Sequence, residues 1–372
     1  MDLKELREKI DILDEQMLQL FIERMDICRM VADYKKANNV SVMQGGREQE
    51  ILDRIQENSP ENLKSGSSVL FQNIMDISKM LQSLEISKDK ELPVMTEFIP
   101  KNAKKIACQG ITGSYSEKAC KVLFEDKDVS FYPAFEDVFN AVSSGEVDFG
   151  ILPIENSTIG SVTETYDLMA KHKFYINSLI RVEITHCIAA KKGAVLSDIK
   201  YVYSKEEALS QCSSFLKENG LEARHYANTA LAAQMVADSE DFSSACICAE
   251  SCAKLYGLEI LSEKIADAYP NYTRFICFSN NLTSTTQADT LSVCISIPHT
   301  KGSLYRILTK FAVSGLNLMK IENKSIAGSD FEVIFYLDFN GKYDDPRVQA
   351  LLTDLQGELS MFRLLGYFNE LK

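Results

Sequence analysis

No two cysteines of this chain stand at CxxC spacing, and its four histidines are dispersed. The tightest cysteine group, Cys246, Cys248 and Cys252 in SACICAESC, has no histidine near it. Zinc sites draw on paired ligands at set gaps, so no metal is expected. All ten thiols are expected to be reduced and mostly buried, in a cytoplasmic protein. No apolar run approaches the roughly 20 residues that span a bilayer. The opening MDLKELREK is charged and helical, unlike a secretory or transit segment. Excess positive charge is also missing. The formal net charge of −13 disfavours broad attraction to nucleic acid or anionic membrane. An anionic ligand must therefore be met by a few placed cations.

What is present is ordinary for a globular chain: 45% hydrophobic and 25% charged residues. A length of 372 residues suggests two or three domains. Residues 1–90 read as all helix, with no proline before Pro60. The first helix is expected to run to about Lys36, the second to start near Arg47, and the third to span about Ser67 to Leu84. Leu70, Ile74, Ile77, Leu81 and Leu84 form the apolar stripe of the third. SKDKELPVMTEFIP then reads as a linker. Residues 103–282 alternate short strands with helices, an α/β pattern whose ligands are expected at strand ends. SNNLTSTTQAD reads as a second linker. Residues 288–372 read β-α-β-β-α-β, the ferredoxin-like order.

The first helix poses a question. Leu3, Leu6, Ile10, Leu13, Met17 and Leu20 keep a three-four rhythm that Ile27, Val31 and Tyr34 resume, yet the slot between belongs to Arg24. A helix of about 35 residues is roughly 50 Å long and cannot bury that stripe against itself, so it needs the other helices and a second chain. Arg24 and Lys35, eleven positions apart, point nearly the same way, about 16 Å apart along the axis. Arg7 lies about 25 Å from Arg24 and can share a small ligand with it only from a partner protomer.

The first 85 residues resemble the all-helical chorismate mutases. The likeness is carried by LREKID with Arg7, ERMDICRMVADYKK with Arg24 and Lys35, GGREQEIL with Arg47 and Glu48, and DISKMLQ with Ser78 and Gln82. Chorismate rearranges in one pericyclic step that needs no acid, base or cofactor. A catalyst helps by holding the folded conformer and stabilising charge on the breaking ether oxygen. The resemblance implies that Arg24 and the partner's Arg7 bind the two carboxylates, a role suited to forked guanidinium groups. It assigns Lys35 and Gln82 to the ether oxygen, Glu48 to the ring hydroxyl, and Arg47 and Ser78 to support. Gln44 departs from the aspartate that similar mutases often carry.

In the α/β segment, ILPIENSTIGSV ends a strand in Glu155-Asn156-Ser157-Thr158. QGITGSYS, with Thr112, offers glycines and hydroxyls at a helix start, where free amides suit an anion. With NYTRF, SKEEALSQC (Ser204, Gln211) and NTALAA (Thr229), these stretches resemble prephenate dehydratases. That likeness implies a two-lobed α/β fold similar to periplasmic binding proteins. It also implies loss of the ring carboxylate and hydroxyl from prephenate to give phenylpyruvate. Thr273 is assigned to the leaving hydroxyl, Arg274 and Phe275 complete its motif, and Asn156, Ser157, Ser204 and Gln211 are neutral donors. Ser204-Lys205-Glu206-Glu207 stands where similar enzymes often read Ser-His-Pro-Gln.

The last segment resembles ACT domains through HTKGSLYRIL (Gly302, Ser303, Leu304) and GLNLMKIEN (Asn317, Glu322). This implies an amino-acid effector, phenylalanine by the logic of the product. Glu322-Asn323-Lys324-Ser325 replaces the frequent Glu-Ser-Arg-Pro. The expectation is thus a multidomain, cofactor-free, dimeric enzyme similar to bifunctional chorismate mutase–prephenate dehydratases. Its parts are an all-α, an α/β two-lobed and an α+β ferredoxin-like domain. One active site alone, arogenate as the dehydratase substrate, or a non-catalytic amino-acid sensor remain the alternatives.

Overall fold

A computed structural model describes residues 2–38, 40, 45–87, 93–325 and 333–371. The chain falls into two compact units: Met1–Val94 with Asp289–Leu365, and Met95–Ala288 with Gly366–Lys372. No helix among the described residues is long and apolar enough to cross a membrane.

In the first unit, helix α1 spans Leu3–Ala37, α2 Gly45–Asn58 and α3 Lys64–Ser87. Asp2 and Glu5 form a capping box at the start of α1, and Lys35 and Lys36 complement the dipole at its end. Helix α1 packs on α3 through Met25, Ala32 and Lys35, which are buried, with Phe21, Arg24 and Cys28 half-buried at the same three-four spacing. The stripe read from the sequence lies elsewhere: Leu3, Leu6, Ile10, Leu13, Met17, Leu20, Ile27, Val31 and Tyr34 are all exposed. The reason is partly length, because α1 has 35 residues and α3 only 24. Arg24 therefore belongs to the face that α3 covers, not to the exposed apolar stripe.

Helix α3 departs from its sequence reading in a similar way. Leu70, Ile74, Ile77, Leu81 and Leu84 are exposed or half-buried, while Asp76, Ser78, Lys79, Gln82 and Ser83 are buried beside Met75 and Met80. Polar side chains go inside here because each finds a partner there, which removes most of the cost of leaving water.

Those partners come partly from the C-terminal segment. Its strands Thr290–Ser296, Leu318–Ser325, Val333–Asn340 and Met361–Phe368 and its helices Ser303–Val313 and Pro346–Glu358 follow the order β-α-β-β-α-β. Both helices pack on α3. Residues 1–94 and 289–365 thus share a unit although the sequence separates them.

Two larger sheets and one two-stranded sheet lie in the second unit among the described residues. Tyr175–Glu183, Tyr272–Ser279, Phe149–Asn156, Ile106–Gln109 and Val129–Tyr132 follow one another in the first. Glu259–Ser262, Cys187–Ala190, Ser244–Cys248, Tyr201–Ser204 and Glu222–His225 form the second. The run YINSLIRVEITHCIAA, read as one strand, is two: its halves join different sheets and the break falls at Ile184–His186. SACIC, conspicuous only for its cysteines, is a fully buried strand of the second sheet. The two supposed linkers each contain a short strand, and these pair in parallel, Thr96 with Thr283 and Glu97 with Ser284.

Candidate active sites

The first cluster lies where α1 crosses α3. Arg24 Nη1 donates to Ser78 Oγ, and Lys35 Nζ donates to Gln82 Oε1 at 3.1 Å. Ser78 and Gln82 are one helical turn apart, so they present side by side to α1. Because Gln82 Oε1 accepts from Lys35, the Gln82 amide protons remain for another acceptor. Lys35 is 8% exposed, and burial pushes its ammonium pKa below the usual lysine range, with Cys28 and Glu48 partly opposing. Glu48 reaches the group from α2, its carboxylate 3.1 Å from Lys79. Arg47 is not drawn in: its exposed guanidinium pairs with Glu50 at 2.9 Å. Arg7 sits on the exposed N-terminal half of α1, remote in sequence from the others. Gln44 falls outside the described residues.

The second cluster lines a cleft of about 470 Å³ in the two-sheet unit. Asn156, Gln211, Thr229, Thr273 and Phe275 all border it. Asn156 is its hub. Two backbone amides, Thr158 N at 3.0 Å and Ile159 N at 3.1 Å, donate to Asn156 Oδ1 and so fix the orientation of its amide. Its Nδ2 must then donate, and does so to Thr273 Oγ1 at 2.9 Å and Asn271 Oδ1 at 2.8 Å. Since Thr273 Oγ1 accepts from Asn156, the hydroxyl proton is left for a ligand, in a bond that donation to its oxygen strengthens.

The same bookkeeping reaches a residue that the sequence reading passed over. Asn271 Nδ2 donates to Gln211 Oε1 at 3.2 Å, which makes that oxygen an acceptor. His186 Nε2, 2.9 Å from the same oxygen, therefore carries the proton. Burial lowers the His186 pKa, so the ring is neutral, and its Nδ1 has no hydrogen-bond partner among the described residues. Asn271 was legible in principle: it stands two before Thr273, immediately ahead of the strand. His186 was not, because its position depends on the strand break.

Other expected residues lie outside the cleft lining. Strand alternation turns Arg274 to the opposite side from Thr273, where it meets Glu370 at 2.7 Å and Glu155 at 3.3 Å. Ser204 is fully buried and donates to Ile247 O at 2.7 Å, spending its hydroxyl on the sheet. Ser157 Oγ accepts from Tyr272 N at 2.9 Å and extends a strand edge. The Thr112 carbonyl accepts from the Tyr256 hydroxyl at 3.0 Å. At the helix start of QGITGSYS, two amides are taken within the segment. The Glu117 carboxylate already takes Gly113 N at 2.6 Å, and the Ser114 side chain takes Glu117 N at 3.2 Å. Gly113 has φ +89°, and a side chain there would meet Cys252 Sγ at 3.1 Å, which explains the glycine. In the altered stretch after Ser204, Lys205 and Glu207 border the cleft and pair at 3.1 Å. Lys205 is the one lysine or arginine among the described lining residues.

The C-terminal segment carries a hollow of about 140 Å³ bordered by Pro298, Thr300, Ser303, Leu304 and Phe335 among others. Gly302 adopts φ +80° immediately before the helix that Ser303 opens. Asn317 and Glu322 do not border this hollow; Glu322 faces Lys324 at 3.6 Å.

Residues 6–83 match the family model of type II chorismate mutase, and residues 106–283 that of prephenate dehydratase. An arogenate dehydratase/prephenate dehydratase of Arabidopsis thaliana is 34% identical over 280 residues, 71% of each chain. A bifunctional chorismate mutase/prephenate dehydratase of Aquifex aeolicus is 27% identical over 372 residues, covering 99% of this chain and 98% of that one. The solved prephenate dehydratase of Arthrobacter aurescens, in complex with L-Phe, superposes with a TM-score of 0.66 at 30% identity, over 71% of this chain and 90% of that one. With one model on the α1–α3 segment, the other on the two-sheet segment, and relatives of both activities aligned end to end, the chain belongs to the bifunctional chorismate mutase/prephenate dehydratase family.

Proposed function

We propose that the chain converts chorismate to prephenate at the α1–α3 cluster and prephenate to phenylpyruvate in the two-sheet cleft, needing no cofactor. The carrying observation is that two independent polar clusters, Arg24–Ser78 with Lys35–Gln82 and Asn156–Thr273, each fall within the family model for the matching reaction. In the first step the ether bond breaks as a carbon–carbon bond forms, and negative charge grows on the ether oxygen. Lys35 and the free amide protons of Gln82 stabilise that oxygen, while Arg24 holds a carboxylate. Arg7 of the partner subunit holds the other. The exposed apolar residues of α1 support a homodimer, since an apolar surface of that extent favours a partner.

In the second step the ring carboxylate leaves as carbon dioxide. Its bonding pair enters the ring, and the hydroxyl departs as water after taking a proton. Thr273 donates toward that oxygen, held in place by Asn156. We assign the three modules to residues 1–90, 103–282 and 288–372, and the last to an ACT domain that binds phenylalanine at the hollow beside Ser303. A cytoplasmic setting suits the buried, unpaired thiols. Arogenate, with an ammonium in place of the keto group, is the alternative dehydratase substrate, named beside prephenate in the plant relative's activity.

The test is a cofactor-free assay of the purified chain. Chorismate should disappear and phenylpyruvate accumulate, with suppression by phenylalanine. Prephenate accumulating instead, and remaining when supplied directly, would overturn the dehydratase half. A pH profile tests Lys35. Its ammonium is required and its pKa is lowered by burial, so mutase kcat/KM should fall, as pH rises, below the ordinary lysine range of about 10.4. Lys35→Arg should remove that limb; a profile unchanged by the substitution would oppose the role.

A further inference from the structure

Beside the face that carries Ser78 and Gln82, α3 holds a buried ionic arrangement that meets the mutase cluster at Glu48. Lys79 Nζ lies 3.1 Å from Glu48 Oε2 and 2.9 Å from Asp76 Oδ1. Asp76 Oδ2 faces Arg306 Nε at 3.9 Å, and Arg306 Nη2 is 3.2 Å from Glu358 Oε1. Glu358 Oε2 is 2.6 Å from Lys310 Nζ. Lys310 also pairs with Asp354, which accepts from Ser83 Oγ at 3.2 Å. The path leaves α3 at Asp76, crosses both C-terminal helices and returns to α3 at Ser83. Lys79, Asp76, Ser83 and Lys310 are 5%, 2%, 4% and 1% exposed.

Burying so many ions is costly, and apolar packing of equal volume is often as stable, so stability alone does not account for the arrangement. What it supplies is fixed position. We propose that Lys79 is a positioning residue for the mutase reaction. It holds the Glu48 carboxylate in place, and Arg306, from the C-terminal segment, anchors Lys79 through Asp76. This rests on the reading of Glu48 as acceptor for the ring hydroxyl. The carbon bearing that hydroxyl makes and breaks no bond, so the contact is equal in ground and transition states. Losing its position therefore raises KM and leaves kcat nearly unchanged.

The experiment compares the full-length chain with Lys79→Met, Lys79→Arg and Arg306→Met, measuring chorismate kcat and KM alongside dehydration of supplied prephenate. A charge-assisted hydrogen bond is worth about 1.5–3 kcal/mol, so Lys79→Met should raise the chorismate KM at least about tenfold, with kcat within about threefold. Lys79→Arg should recover most of the KM, and Arg306→Met should raise it severalfold without touching substrate. Dehydration should stay near wild type in all three. Loss of folded protein gives the opposite pattern, a lower apparent kcat at constant KM. That pattern, or an unchanged KM in Lys79→Met, would overturn the proposal. Absence of chorismate turnover in the unsubstituted chain would instead overturn the mutase reading, and this proposal with it.

Discussion

Arg24→Ala is expected to abolish chorismate turnover while leaving dehydration of supplied prephenate nearly intact. Removing one partner of a buried charged pair costs about 2–5 kcal/mol, which corresponds to roughly 30- to several-thousand-fold in rate. The fold should tolerate the change. Arg24 is only half-buried, and Ser78 Oγ keeps its bond to Ile74 O at 2.7 Å when the guanidinium is gone. A small shift in Tm with a large loss of mutase rate is therefore the expected pair of results. Mixing sharpens the test. In a dimer whose sites combine Arg24 of one protomer with Arg7 of the other, Arg24→Ala and Arg7→Ala chains should each be inactive alone. Exchanged at equal amounts, they should regain about a quarter of wild-type activity, because half the dimers carry one intact site of two. No recovery in fully exchanged dimers would refute the shared site. Equal loss of both activities in Arg24→Ala would refute the assignment.

Thr273→Val should produce the converse: dehydration falls by about 10²–10⁴, the usual worth of a positioned proton donor, with mutase turnover unchanged. Valine keeps the shape and the strand preference of threonine, so no cavity opens. The amide left behind is not stranded, since Asn156 Nδ2 still donates to Asn271 Oδ1 at 2.8 Å and Tyr272 O at 3.2 Å. Thr273→Ser restores the hydroxyl and should recover most of the rate. Full activity in Thr273→Val would move the proton-donating role elsewhere in the cleft. Arg274→Met gives a useful contrast. Its partners Glu155 and Glu370 lie on the other side of the strand, so any loss there should appear as reduced stability before reduced turnover.

Element types and their order were readable from local pattern. The helical start, the α/β alternation and the β-α-β-β-α-β close depend on periods of 3.6 and 2 and on glycine and proline placement, all of which are properties of neighbours in the chain. The roles of the chemistry-bearing residues came through the resemblance to mutases and dehydratases, which implies cations on α1 for a dianion and a hydroxyl with amides at strand ends for a leaving hydroxyl. Period alone does not tell which face a neighbour covers. The apolar row of α1, which the sequence gives to the other helices and a second chain, is exposed in the single chain, while α3 turns Asp76, Ser78, Lys79, Gln82 and Ser83 inward. A polar residue is drawn inside only if a counter-charge or acceptor awaits it. For Lys79 and Asp76 those partners stand on α2 and at Arg306, far along the chain.

The cleft teaches the same distinction at finer scale. Thr273 and Asn156 came from sequence, but their bond joins strands that are neighbours only in the folded sheet. Ser204 spends its hydroxyl on the backbone, and Ser157 and Thr112 stand outside the cleft lining. His186 enters the cleft because a strand breaks beside it and Gln211 orients its ring. The sequence by itself determined which segments become helix or strand and which residue types are on hand for two reactions. Tertiary structure alone decided which faces are buried and which polar groups are left to act on a ligand. A hydrogen bond or ion pair is settled by where its partner stands in space, and sequence periodicity carries no record of that.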